Sequence, residues 1–182
     1  IVGATYNWTG PNSFTSNSQN PSIPSVTLAA AGVYTVTATV SGCTSPQGTV
    51  TVVVNATPAA PTAGSNSPVC TGQTLNLTAS TIVGATYNWT GPNSFTSTLQ
   101  NPSIPSVTLA AAGTYTVTAI VSGCSSPIAT TTVVVNATPA TPTAGSNSPI
   151  CVGATLNLTC NTVVGATYAW TGPNSFSSAL QN

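Results

Sequence analysis

The 182-residue sequence contains no Asp, Glu, Lys, Arg or His, and no Met. General acid–base catalysis needs a side chain that exchanges a proton near working pH, and the usual suppliers are the missing types. No catalytic residue is therefore assigned, and the chain is expected not to be an enzyme. Calcium and magnesium sites are built on carboxylates, and zinc sites on closely spaced Cys or His. No metal or cofactor site is assigned either. Phosphates and anionic headgroups are held chiefly by Lys and Arg, so no nucleic-acid partner is expected. The longest apolar runs, such as Val52 to Val54 and Ala29 to Ala31, fall far short of the roughly 20 residues that cross a bilayer. Membrane insertion is not expected.

A chain without formal charge also lacks the self-repulsion that keeps ordinary proteins dispersed. It should associate laterally with further copies of itself, or be solvated by covalent glycans. The composition is nevertheless that of a folding chain, with 41% hydrophobic residues and a mean hydropathy of +0.29, and Val, Thr, Ile and Tyr favour strands.

The tripeptide Trp-Thr-Gly begins at Trp8, Trp89 and Trp170, a constant interval of 81 residues, and Cys43 and Cys70 recur at the same interval as Cys124 and Cys151. A period of this length suits a small independent sandwich better than a solenoid unit. Within one period, Tyr115, Val117, Ala119 and Val121 alternate with Thr114, Thr116 and Thr118, as a half-buried strand requires. Thr74 to Thr78 and Ala85 to Trp89 alternate likewise. Turn signals at Gly91-Pro92-Asn93, Asn101-Pro102, Ala112-Gly113 and Ser122-Gly123 separate short strands at the spacing of all-β sandwiches. Ala110 to Ala112 is too short for a helix. The core is expected to hold Leu75, Leu77, Tyr87, Trp89, Tyr115 and Val117.

The order Gly72-x-x-Leu75-x-Leu77, then Trp89, then Gly113-x-Tyr115-x-Val117 resembles the immunoglobulin pattern of a buried Trp on strand C and a tyrosine corner at strand F. Ala79 and Val117 stand where antibody domains carry their disulfide. The phrases Tyr87 to Phe95, Gly113 to Val117, Ser122-Gly-Cys124 and Ser67-Pro-Val-Cys-x-Gly72 further resemble the Ig-like or PKD-like tandem repeats of giant secreted or cell-surface proteins of Bacteroidota. That resemblance implies a non-catalytic, extracellular or cell-surface repeat protein, commonly exported by the type IX route. The expected fold is all-β: tandem immunoglobulin-like β-sandwich domains forming an elongated rod.

On this alignment residues 58–136 form a complete Ig-like repeat, with residues 56–61 as a Pro-rich linker. Residues 1–55 form a partial repeat holding strands C to G, and residues 137–182 another holding strands A to C. Pro-rich linkers such as Asn55 to Pro61 and Asn136 to Pro142 are semi-rigid. With no initiator Met and no signal peptide, the chain is expected to be a window on a longer protein. Residues 137–162 are what 1–55 lack, but donating them to a neighbouring chain would make 163–182 duplicate 1–20. A continuous array is the preferred reading.

Five cysteines without a basic neighbour read as structural and extracellular. Cys43, Cys70, Cys124 and Cys151 are the disulfide candidates. On Ig topology Cys70 lies in the turn entering strand B and Cys124 in the F–G hairpin, at opposite ends of one domain. A bridge spans about 4.4–6.8 Å between Cα atoms, which favours staples between neighbouring domains and leaves an intradomain Cys70–Cys124 bridge as the alternative. Cys160 replaces Ala79 in the third repeat and is expected to be a buried free thiol.

Candidate glycosylation sites with the Asn-x-Thr pattern are Asn7, Asn55, Asn76, Asn88, Asn136 and Asn157. Asn76 and Asn88 should point outward from strands, where Asn is normally depleted; ordinary exposed amides are the alternative. Outward Thr35, Thr37 and Thr39 present a hydroxyl-and-methyl row that can bind ordered surfaces, although Thr is also simply the best polar residue for a strand face. Two functions follow: a structural repeat segment of a long extracellular filament or surface stalk, or an adhesin whose repeats bind carbohydrate, a host protein or ice.

Overall fold

The computed structural model describes residues 2–182. Every regular element among the described residues is a strand or a short 3-10 turn, and the chain is all-β. The first repeat contributes β1 (Thr5–Gly10), β2 (Phe14–Ser16), β3 (Gly32–Val40), β4 (Cys43–Thr44) and β5 (Gly48–Val52). They form one antiparallel sheet in which β1 and β5 flank β3.

The middle repeat holds β6 (Ala63–Ser65), β7 (Val69–Cys70), β8 (Leu75–Ala79), β9 (Thr86–Gly91), β10 (Phe95–Ser97) and β11 (Ser103–Ile104). It continues with β12 (Gly113–Val121), β13 (Cys124–Ser125), β14 (Ala129–Val133) and β15 (Val135–Asn136). One sheet runs β10-β9-β12-β13, with β14 also on β12; the other runs β11-β8-β6. A short parallel pair, β7 with β15, closes one end. The last repeat has β16 (Ala144–Ser146) paired with β17 (Leu158–Cys160), and β18 (Trp170–Gly172) paired with β19 (Phe176–Ser178).

Period-two alternation decides the packing. Leu75, Leu77 and Ala79 face inward from β8, and Tyr87 and Trp89 from β9, with Tyr115, Val117 and Ala119 from β12; all are buried, while Asn76 and Asn88 face out. The six expected core residues are thus in the core. The Ala-rich segment forms a 3-10 turn over Leu109–Ala111, whose Ala111 carbonyl accepts the Tyr115 hydroxyl at 2.9 Å. This is the tyrosine corner. Burial raises the Tyr115 pKa above the ordinary phenol value. Gly91 permits the close approach of that ring, because a Cβ there would overlap Tyr115. The Phe95 ring meets Tyr115 edge to face, with centroids 5.6 Å apart.

The indole of Trp89 donates to the Gln100 carbonyl at 3.2 Å. The Gln100 amide in turn donates to the Ala79 carbonyl at 2.8 Å, and Asn101 Oδ1 accepts the Ala79 amide at 3.0 Å. Two side chains thereby satisfy the backbone of Ala79 at the end of β8, where a neighbouring strand would otherwise be needed.

Identical residues are less covered in the first repeat. Trp8, Val36 and Ala38 are half-buried, whereas their counterparts Trp89, Val117 and Ala119 are wholly buried. Residues 2–55 supply only one sheet. Its inner face lines an open hollow of about 440 Å³ bordered by Trp8, Phe14, Ile23, Tyr34, Val50 and Val52.

Candidate functional site

Among the described residues there is no cluster of three His, Cys, Asp or Glu able to hold a metal ion, and no helix is long and apolar enough to cross a membrane. The chemistry-bearing groups that remain are thiols, amides and hydroxyls. They gather in two places: where the linkers meet the middle domain, and on the outer face of the larger sheets.

At the entry to the middle domain, Asn55 lies against the turn between β12 and β13. Its side-chain amide donates to the Ser122 carbonyl at 3.1 Å, and its own carbonyl accepts the Cys124 thiol at 3.7 Å. The turn is built by Ser122 and Gly123, both at positive φ, a conformation that suits Gly and tight hairpins. At the exit, β15 runs parallel to β7, so that Cys70 is registered with Asn136. The Asn136 carbonyl accepts the Thr71 amide at 2.8 Å. Thr138 then donates its amide to Thr71 Oγ1 and its hydroxyl to the Thr71 carbonyl, each at 3.0 Å. Ser67 Oγ accepts the Val134 amide at 2.8 Å.

Both linkers are therefore pinned to the fold by the residues of an Asn-x-Thr triplet. The sequence presents Asn55-Ala-Thr57 and Asn136-Ala-Thr138 as glycosylation signals. The Asn55 amide and the Thr138 hydroxyl also make hydrogen bonds within the joints. All six candidates, Asn7, Asn55, Asn76, Asn88, Asn136 and Asn157, are exposed, and the Asn76 and Asn88 side chains point away from the core as expected.

The cysteines are free thiols. Cys70 belongs to β7 rather than to the turn entering the next strand, because the parallel pairing with β15 extends through it. The intradomain Cys70–Cys124 bridge does not form: Cys70 sits beside Asn136 at the exit and Cys124 beside Asn55 at the entry. Cys43 and Cys151 are exposed. Cys160 is half-buried rather than buried, since the strands that cover its counterpart Ala79 have no equivalents within residues 137–182. Its thiol donates to the Gln181 carbonyl at 3.3 Å.

The threonines form rows across strands, not only along them. Pairing places Thr96 opposite Thr90, Thr90 opposite Thr116, and Thr116 opposite Thr130. In the first repeat the same row is Thr15, Thr9, Thr35 and Thr49. The central hydroxyls hydrogen-bond to each other at 2.8 Å in both copies. Alternation along a strand identifies the outward face, but only the register reveals this lateral row. Thr37 and Thr39 lie on the same strand as Thr35 and are half-buried. In the middle repeat Ile120 takes the place of Thr39.

No curated protein matches the sequence. Among solved structures, murine CEACAM1b is 18% identical, with 73% of this chain and 85% of that one aligned and a TM-score of 0.43. The structure of a mouse coronavirus receptor-binding domain complexed with its murine receptor matches at 17% identity over 73% and 85% of the two chains, with a TM-score of 0.46. The amphioxus IgVJ-C2 molecule matches at 14% identity over 72% and 88%, with a TM-score of 0.37. Residues 58–137 match the family model described as "Ig-like domain CHU_C associated", so that the middle repeat is similar to a Bacteroidota-linked Ig-like family.

Proposed function

We propose that the chain is a non-catalytic structural repeat segment of a long extracellular filament or surface stalk. The observation that carries this reading is the pinning of both linkers. Asn55 is tied to the Ser122 turn on entry, and Asn136 and Thr138 are tied to Thr71 on exit. A linker used only as a tether needs no such bonds, whereas a stiff rod does. Near-identical repeats support the same conclusion, because packing surfaces repeat while recognition sites usually diversify. The uncharged, hydroxyl-rich exterior supports lateral contact with further copies, or a sheath of glycans at exposed sites such as Asn76 and Asn88.

Small-angle scattering on the 182-residue chain and on chains lengthened by two and four repeats tests the proposal. A rod requires a radius of gyration that rises in proportion to repeat number. A square-root rise, as for freely jointed beads, refutes it.

An adhesin is the second reading, favoured by the row Thr96, Thr90, Thr116 and Thr130, which presents methyl groups at strand spacing over a four-strand width. Retention on crystalline polysaccharide or ice, abolished by Thr116→Glu, distinguishes it. Retention unaffected by that substitution counts against the Thr row.

A further inference from the structure

Two contacts on opposite ends of the middle domain involve the same repeat position. Asn55 and Asn136 are equivalent, one period apart. The Asn55 carbonyl meets the Cys124 thiol of the domain that follows it, at 3.7 Å. The Asn136 carbonyl meets the Thr71 amide of the domain that precedes it, at 2.8 Å. A carbonyl oxygen has two lone pairs, so both contacts can be made at one asparagine. Wherever one complete repeat follows another, the junction Asn then has the Cys70–Thr71 peptide on one side and a Cys124-type thiol on the other.

These distances place an upper bound on the separation. The incoming sulfur lies no farther from the Thr71 nitrogen than the two contact lengths added together, and that nitrogen is bonded directly to the Cys70 carbonyl carbon. Cys70 is itself held in place: its amide donates to Gln73 Oε1 at 2.9 Å, and its carbonyl accepts the Gln73 amide at 3.1 Å. It is half-buried, with part of its surface open. Two cysteines are thereby placed against one and the same residue, whereas Cys70 and Cys124 of one domain lie at its opposite ends; a bridge needs Cα atoms about 4.4–6.8 Å apart.

We infer that Cys70 and the Cys124 equivalent of the following repeat form a disulfide across the repeat junction, stapling each domain to the next. The inference rests on the array reading proposed above. The sulfur–sulfur bond forms as each thiol loses its hydrogen. The two electrons and two protons pass to an external disulfide such as glutathione disulfide, which leaves as two thiols. The staple would make covalent a joint that hydrogen bonds already order, and it requires neither charge nor metal.

The test uses the 182-residue chain continued in register by a second copy of residues 102–136 after Asn182, which completes the last repeat and supplies the missing cysteine. The chain is refolded in a glutathione redox buffer, digested with chymotrypsin, and mapped by mass spectrometry with and without reductant. The expected result is a reductant-sensitive peptide pair joining Cys70 to the appended cysteine, retained in Cys124→Ser and lost in Cys70→Ser. The oxidised chain should also have a higher urea midpoint than the reduced one. A Cys70–Cys124 pair, a bridge between Cys151 and the appended cysteine, disulfide-linked dimers, or free thiols in a folded chain would each overturn the inference. Scattering from the reduced chain separates the two proposals. A reduced chain that stays extended, together with no bridge found after refolding in the redox buffer, removes the staple and leaves the rod, whereas a flexible reduced chain removes the rod itself.

Discussion

Replacing one tryptophan at a time provides an internal control that few proteins offer. Trp89, Trp8 and Trp170 occupy the same repeat position, but only Trp89 is wholly buried; the other two are half-buried. Trp89→Ala removes an indole packed among both sheets and leaves a cavity, at a cost of about 3–5 kcal/mol. It also removes the donor to the Gln100 carbonyl, loosening the segment whose side chains cap Ala79. A small domain has a total stability of about 5–15 kcal/mol, so Trp89→Ala should bring the middle repeat close to unfolding. The expected fall in Tm is at least about 12 °C, taking the shift as 4–8 °C per kcal/mol for a domain of this size. Trp8→Ala and Trp170→Ala lose only part of that burial and should each cost about 1–2 kcal/mol. The assay is urea and thermal unfolding of the full chain followed by far-UV circular dichroism, which does not depend on the deleted fluorophore. Equal losses at all three positions would falsify the claim that the middle repeat alone has a closed core.

Other expectations concern charge, close packing and association. Stability should be flat from about pH 4 to 9 and insensitive to salt, since screening needs charges to act on. Burial raises the Tyr115 pKa, so the folded state favours the neutral phenol. Its stabilisation is complete below about pH 10, the unfolded value, and is lost as pH rises through the folded-state value; alkaline titration of the Tm in wild type and Tyr115→Phe checks this. Gly91→Ala places a methyl group into the Tyr115 ring and should cost about 1–3 kcal/mol, measured by urea denaturation. The unglycosylated chain should associate as concentration rises, and light scattering that reports a monomer at the highest attainable concentration would count against lateral assembly.

The parts of the fold with a two-residue period were legible in the sequence. Leu75 and Leu77, Tyr87 and Trp89, and Tyr115 and Val117 alternate with polar neighbours, and that pattern alone assigns them to the core. The Trp and Tyr spacing then identifies the sandwich. What alternation cannot supply is register, because it depends on turn geometry and on partners distant in sequence. The cross-strand row from Thr96 to Thr130 therefore emerges only in the folded sheet.

Two-residue elements are equally silent. The parallel pairing of β7 with β15 involves too few residues to show a period, and it moved Cys70 from a turn into a strand. Gln100 and Asn101 carry no signal as caps for Ala79, since their bonds reach back more than 20 residues. The Asn-x-Thr triplets at Asn55 and Asn136 illustrate a different limit. The pattern is short enough to fit a sugar acceptor or an ordinary exposed amide, and it gives no sign that the Asn55 amide and the Thr138 hydroxyl also bond within the joints.

The most direct test of the central claim is electron cryomicroscopy of a chain lengthened to six repeats, with consecutive domains aligned and their relative orientation measured at every junction. Pinned linkers predict one recurring orientation, visible as class averages in which neighbouring domains are equally well resolved. Averages in which a single domain sharpens while its neighbours blur would show that the joints are free, and would contradict the account.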